Sequence, residues 1–269
     1  MAHAALLQPN WQTKKFIICH LLALLLIGLW AWPVFHQLAI EFDTYLFKLL
    51  NGSLAKSSVW ASFWAIASTR FFDLLVAIIL LLFLIKPDWL YEASLVRQAF
   101  FALAAIMLLE VVIRIIFTKV ISSMGWQHAS PSIALDDVYR LSDHVATIKD
   151  KLEIKDSSSR SFPGDHASVL LIWAMFLSCF ARKFNQYFII WLIAIIFMMP
   201  RLVAGAHWAS DDYIGGVLLA LLALAWGVYT PFAAKISGWF VNKTSIIFSQ
   251  LQKIPLINKF AIVRLPSDL

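Results

Sequence analysis

The chain has 269 residues, 61% of them hydrophobic and only 14% charged, with a net charge of +6 and a mean hydropathy of +0.78. A soluble domain carries roughly 45–50% apolar and about 25% charged residues, so a soluble enzyme, a disordered chain and a repeat solenoid all fit poorly. The basic excess does not call for nucleic acid as a partner, because Lys and Arg held on the cytoplasmic side of a membrane protein give the same total. Two cysteines, Cys19 and Cys179, are too few for a disulfide framework and both lie in apolar runs. The composition predicts an all-α polytopic membrane protein, one membrane-embedded domain over residues 1–269.

In chain order, Lys14 and Lys15 precede the apolar run Phe16–Phe35. At about twenty residues it is long enough to span a bilayer and longer than the roughly 7–15-residue core of a secretory signal, so it is expected to be a retained anchor. Further spans are predicted within Val59–Ile85 and over Ala99–Val120, Ala167–Phe180, Tyr187–Val203 and Tyr213–Phe232, six in all. The first, third and fifth connections then lie on the face opposite the basic residues Lys86, Arg97, Arg182 and Lys183 and the tail of about 233–269, with Lys235, Lys243, Lys253, Lys259 and Arg264. Both termini are therefore expected on the cytoplasmic face, and a long connection of about 119–166 on the other. Ile236, Phe240 and Ile247 hint at an interfacial helix in the tail.

Charges inside the apolar segments come in pairs. Arg70 and Asp73 are three apart and Glu110 and Arg114 four apart, so each pair shares a helix face. Charged groups at membrane depth are costly unless paired, and mutual neutralisation beside a polar pocket is the expected role of both pairs.

Two stretches carry chemistry. In Pro200–Asp211, His207 and Asp211 are four apart, so on a helix a carboxylate can hold one imidazole nitrogen and leave the other as base or nucleophile. Arg201 can supply a planar donor fork for phosphate. In Arg160–His166, Pro163-Gly164 makes a turn and a helix is expected to open at His166. Its N-terminal N–H groups favour an anion, and His166 would stand ready to protonate a leaving oxygen. Arg160 would add a second clamp. A His/Asp pair at this spacing also suits a metal, but Arg201 and Arg160 on the same face repel a cation, so neither metal nor other cofactor is expected. His3, His20, His36 and His144 read as polar boundary residues. Taken singly, each of these residues is equally at home as a loop charge in a channel or scaffold.

Together they resemble the type 2 phosphatidic acid phosphatase superfamily. Arg201, five residues, His207, three residues, Asp211 resembles its third signature, and Phe162-Pro163-Gly164-Asp165-His166 its second, usually Pro-Ser-Gly-His. Here Gly164 replaces Ser, leaving only the backbone N–H, and Asp165 replaces Gly, putting a carboxylate beside the phosphate. The resemblance implies a six-helix core with its site at one membrane face, His207 as the residue that becomes a phosphohistidine, Asp211 polarising it, His166 protonating the leaving group, Arg201 holding phosphate, and no metal. The first signature, Lys, six residues, Arg-Pro, is degraded. Lys119 lies upstream at the wrong spacing, no Arg precedes Pro131, and Arg140 is a candidate to compensate. The runs His128-Ala129-Ser130-Pro131, Asp137–Ser142 and Ser159–His166, with Thr69–Asp73, resemble the lipid A 1-diphosphate synthase branch. Members of that branch carry Lys-Arg where Gln127-His128 stand, which makes Lys119, Gln127 and His128 candidate acceptor contacts.

What the resemblance implies is transfer of the distal phosphate of undecaprenyl diphosphate to the 1-phosphate of lipid A, at the periplasmic face of a bacterial inner membrane. Water as acceptor would make the same machinery a lipid phosphate phosphatase. A catalytically silent phospholipid-binding protein is the alternative of another class, and a transporter fits less well because no paired broken helices recur in repeated halves. The sequence leaves the oligomeric state open.

Overall fold

The computed structural model describes residues 5–145 and 152–264. His3, the last five residues of the tail, and positions 146–151 of the long connection lie outside the described residues.

Helix α1 (Thr13–Ala31) stops before Trp32-Pro33 because the residue preceding a proline is pushed out of the helical region, and Trp32 is extended. Pro33 then opens α2 (Pro33–Gly52), its fixed φ suiting the first helical position. The first apolar run thus ends short of Phe35, which belongs to α2. That helix turns Ala39, Asp43, Phe47 and Asn51 inward at a spacing of four.

The second predicted span is two helices, α3 (Ser58–Ala67) and α4 (Arg70–Leu84). The chain breaks at Ser68-Thr69, where the Thr69 hydroxyl accepts the Phe72 N–H at 3.2 Å and caps α4. Next come α5 (Val96–Ser123), α6 (Asp165–Ser178) and α7 (Phe184–Ala204). A π-helical turn over Asp211–Gly216 leads into α8 (Val217–Val228), followed by α9 (Phe232–Lys243) and α10 (Ser245–Leu251). Two four-residue turns, Pro131–Ala134 and Leu141–His144, punctuate the connection after α5. Among the described residues the regular elements are helices, and the one β contact is an isolated bridge between Thr69 and Ile154.

Among the described residues four runs are long and apolar enough to cross a membrane: Thr13–Ala31, Ala93–Ser123, Phe184–Ala204 and Asp211–Val228. At 15 and 14 residues, α4 and α6 reach only about 21–23 Å, less than the ~30 Å hydrocarbon core.

Helices α6 and α8 sit at the centre. Trp173, Phe176 and Leu170 of α6 pack with Ala220, Ala223 and Leu224 of α8, Ala99 and Ile106 of α5, and Ile190 and Ala194 of α7. Helix α1 adds Ala23 against Leu218 and Leu219. Small residues set the spacing: a Cβ on Gly227 would stand 2.6 Å from Ile106. The outward faces of α1, α4 and α5 expose Leu21, Leu24, Leu74, Leu108 and Ile116, an apolar exterior that water would not tolerate at this extent.

The predicted basic connections gather at one end. The Gln12 N–H donates to the Tyr229 carbonyl at 2.9 Å, Gln186 donates to the Trp89 carbonyl, and the Arg97 guanidinium donates to the carbonyls of Ile262, Val263 and Arg264, each at 2.9 Å. The tail is thus tied back onto α5, with α9 packed along it.

At the other end Asn51 fastens α2. Its amide donates to the carbonyls of Tyr139 and Val203 at 3.0 and 3.1 Å and accepts the Tyr139 N–H at 2.8 Å. Asn51→Ala strands these groups in a buried setting, where each unsatisfied partner costs about 1–3 kcal/mol. The thermal midpoint in detergent should fall by several degrees, about 2–4 °C per kcal/mol, measured by intrinsic tryptophan fluorescence.

Candidate active site

The ends of α5, α6 and α7, the start of α4 and the connection after α5 enclose a cavity of about 680 Å³. Six basic side chains line it: Arg70, Arg114, Lys119, Lys155, Arg160 and Arg201, with His166 and His207. The cavity's surplus of positive charge suits an anion.

His207 is placed by the end of α7. Gly205 adopts a left-handed φ of +83° that closes the helix, and a Cβ there would stand 2.9 Å from the Phe47 ring. The chain reverses and delivers a buried His207. Its Nδ1 is 3.0 Å from the Ser161 carbonyl and 3.4 Å from Asp211 Oδ2. A carbonyl only accepts, so Nδ1 carries the proton, and Nε2 is the nitrogen presented to the cavity. Asp165 Oδ1 lies 3.5 Å from Nε2. Burial lowers the His207 pKa, but hydrogen bonding to Asp165 and Asp211 outweighs it and raises the value to about 10.

Asp211 is fully buried and shared. Its Oδ2 accepts the Trp208 N–H at 2.9 Å, and its Oδ1 lies 2.9 Å from His128 Nε2. The predicted His207/Asp211 dyad is therefore the centre of a longer row, His128–Asp211–His207–Asp165. Behind it, Asp43 of α2 accepts the Ser210 N–H at 3.0 Å and the Ser210 hydroxyl. Burial is the main cause pushing the Asp43 carboxyl up, to about 6, against those two hydrogen bonds.

His166 lines the cavity at the start of α6, its Nε2 3.1 Å from the Phe197 carbonyl. That carbonyl fixes the proton on Nε2 and leaves Nδ1 as the other exchangeable position. Phe197 lies in the turn loosened by Pro200, which has no N–H to give to the helix.

Arg201 is buried and its fork is already engaged. Nη2 meets both Asp73 oxygens at 2.7 and 2.6 Å, and Nη1 donates to the Ser68 carbonyl at 2.7 Å. Both predicted charge pairs exist, but loosely, Arg70–Asp73 at 4.0 Å and Arg114–Glu110 at 3.8 Å. Both pairs also serve the site: Arg70 lines the cavity, Asp73 orients Arg201, and Arg114 Nη1 lies 3.4 Å from Asp165 Oδ2.

The remaining predicted residues divide. Arg160, Lys119 and Gln127 line the cavity. Gln127 has both amide heteroatoms buried and without a hydrogen-bond partner. His128 does not line the cavity; its Nε2 faces Asp211 Oδ1 at 2.9 Å. Arg140 does not line the cavity; its Nε and Nη2 donate to the Ser132 carbonyl at 3.1 and 2.7 Å. The Gly164 N–H donates to the Asp211 carbonyl at 2.8 Å, so it holds the turn instead of facing phosphate. A Cβ at Gly164 would lie 2.5 Å from Asp212 Oδ1 and 2.8 Å from the Asp211 carbonyl oxygen.

Sequence reasoning missed Ser161, whose contribution is a carbonyl that no side-chain pattern shows, and Asp43, whose only signal is its place on the inward stripe of α2. Among the described residues no group of three or more His, Cys, Asp and Glu is arranged to hold a metal ion.

Residues 98–236, just over half of the chain and including His166, Arg201, His207 and Asp211, match the PAP2 superfamily, that of the type 2 phosphatidic acid phosphatases. The chain belongs to this superfamily. It is a membrane protein and an enzyme of the phosphatase and phosphotransferase type. It is 27% identical over 235 residues to a lipid A 1-diphosphate synthase of Escherichia coli (strain K12), covering 84% of this chain and 92% of that protein. No solved structure matches the chain.

Two substitutions test how this PAP2 site is positioned. Asp73→Ala releases the Arg201 fork, and phosphate-release or transfer turnover should fall about 10²-fold with the thermal midpoint little changed, since Asp73 is only half-buried. Gly164→Ala forces a methyl group against Asp211 and Asp212, so turnover should fall at least about tenfold and the thermal midpoint should drop as well.

Proposed function

We propose that this protein moves the distal phosphate of undecaprenyl diphosphate to the 1-phosphate of lipid A through a phosphohistidine on His207. The observation that carries the proposal is the fixed His207 imidazole, Nδ1 held by the Ser161 carbonyl and Asp211, with Nε2 open to a cavity ringed by Arg and Lys. In this reading Nε2 attacks the distal phosphorus in line with the bridging oxygen. Arg160 and Arg201 neutralise charge on the non-bridging oxygens, the largest contribution expected in phosphoryl transfer. His166 gives a proton to the departing undecaprenyl phosphate. The acceptor phosphate then attacks from the side of Lys119 and Gln127, which line the same cavity. The 27% identity to the lipid A 1-diphosphate synthase supports this choice of donor and acceptor.

The membrane placement belongs to the same proposal. Helices α4 and α6 complete the four longer runs to six spans, both termini and the basic connections are cytoplasmic, and the cavity opens at the periplasmic face of an inner membrane. The gathering of Lys15, Lys86, Arg97, Arg182 and the tail at one end supports that orientation.

Water as acceptor is the second reading. The observation in its favour is the engagement of His128 with Asp211, which takes that side chain away from the cavity at the place where the related branch carries Lys-Arg.

The test uses purified protein and undecaprenyl diphosphate labelled at its distal phosphate, with and without lipid A. Label on lipid A is the expected product, and label only as free phosphate with lipid A in excess would establish the phosphatase instead. His207→Gln should abolish acid-labile labelling of the protein; labelling that persisted would remove His207 as the nucleophile.

A further inference from the structure

The carboxylate of Asp165 is not part of the machinery derived above, yet it is the charged group nearest the atom that must attack. Oδ1 is 3.5 Å from His207 Nε2, and Oδ2 is 3.4 Å from Arg114 Nη1. Its side chain is open to the cavity whereas His207 is enclosed. Arg114 is itself tethered from behind by Glu110, which is buried and also accepts the Ser168 hydroxyl at 2.9 Å. A chain of alternating charge thus runs from the interior of α5 to the nucleophile: Glu110, Arg114, Asp165, His207.

This placement poses a chemical problem. A histidine attacks phosphorus through an unprotonated nitrogen, and Nδ1 already carries the proton given to Ser161. With carboxylates on both sides, Asp211 at Nδ1 and Asp165 at Nε2, the resting imidazole is held charged, in keeping with a value raised to about 10. The proton on Nε2 has to leave before attack, and the group in contact with it is Asp165.

We propose that Asp165 is a catalytic residue that takes the Nε2 proton of His207 before attack and returns it when the phosphoryl group departs. The inference rests on His207 being the nucleophile. In the first half-reaction the proton passes from Nε2 to Asp165, directly or through one water. The Nε2 lone pair forms the N–P bond, and the bridging P–O bond breaks with its electron pair on the leaving oxygen, which takes a proton from His166. In the second half-reaction a lone pair of the acceptor oxygen forms the new P–O bond. The N–P bond breaks with its pair on Nε2, which recovers the proton from Asp165. His166 takes the acceptor's proton if the acceptor is water and is reprotonated from solvent if the acceptor is a phosphate dianion. Arg114 holds the carboxylate at its station, and incoming phosphate displaces Oδ1 toward it.

The charge state of the Asp165–His207 pair then does not change between the resting and the reactive enzyme; only the position of one proton does. Other titratable and charged groups facing His207 are Asp211 and Asp212 from the π-helical turn, His166 beside Asp165, Arg201 of α7, and, through Asp211 and Ser210, His128 and Asp43. A substitution at position 165 keeps these residues in place and removes a carboxylate charge that Arg201 and Asp212 feel.

The experiment is the pH profile of kcat/KM with labelled undecaprenyl diphosphate for the wild type, Asp165→Asn and Asp165→Glu. The wild type keeps its proton within the pair, so deprotonation of His207 should add no acid limb to its profile between about pH 6 and 9, and the alkaline limb belongs to the general acid His166. Asp165→Asn must release the proton to solvent, so an acid limb should appear on which its kcat/KM falls about tenfold per pH unit, with the alkaline limb kept. Asp165→Glu should remove the added acid limb. An Asn variant whose profile keeps the wild-type shape, whatever its rate, would overturn the proposal. If the Asn variant does not fold, Asp165→Gly, with the residue more usual in the superfamily at this place, carries the same expectation. Wild-type protein that forms no phosphohistidine on His207 would instead sink the function proposed above. A labelled wild type with an unaltered variant profile removes only the role of Asp165.

Discussion

The site depends on the restraint of one imidazole. His207 is gripped at Nδ1 by a backbone carbonyl and a buried carboxylate, which settles its tautomer and leaves a single direction in which Nε2 can point. Everything nearby serves that restraint. The left-handed Gly205 ends α7 where the ring must emerge, Asp43 pins Ser210 ahead of Asp211, and the Gly164 N–H ties the loop before α6 to the Asp211 carbonyl. The π-helical turn over Asp211–Gly216 widens the helix at the same place, a distortion that recurs at functional sites.

A second constraint comes from charge in an apolar surrounding. An Arg inside a membrane domain is costly unless its donors are met, and Arg201 meets this cost with Asp73 and the Ser68 carbonyl. The same bonds aim it. The break between α3 and α4, where Thr69 caps the second helix, puts the Ser68 carbonyl and Asp73 one turn apart and both within reach of Arg201. Glu110 and Arg114 follow the same logic from α5. Pairs that look like local neutralisation along one helix are, in three dimensions, the supports of groups on other helices.

The fold suits this division of labour. Helices α6 and α8 are packed among alanines, leucines and isoleucines of the neighbouring helices. Chemistry-bearing residues sit at their ends and on the connection after α5, where polar groups find water or one another. The opposite end is closed by backbone and side-chain bonds among the termini and the basic connections, with Arg97 fastening the tail.

Much of this was legible in the order of residues. Apolar runs and their Lys/Arg flanks located the long helices because lipid demands length and apolarity of any chain that crosses it. The spacing of Arg201, His207 and Asp211 marked residues that the structure does bring together, although His207 sits in the bend after α7 and not on a helix face. Breaks at Trp32-Pro33 and Ser68-Thr69 were harder to see, since hydropathy runs straight through them. Where Arg140 and His128 point could not be read, because each is decided by a distant partner: the Ser132 carbonyl for one, Asp211 for the other. The sequence by itself determined the class of protein, its helical membrane character and its superfamily. Tertiary structure decided which carboxylate faces which nitrogen, because hydrogen bonds between segments far apart in the chain depend on packing that no local pattern records.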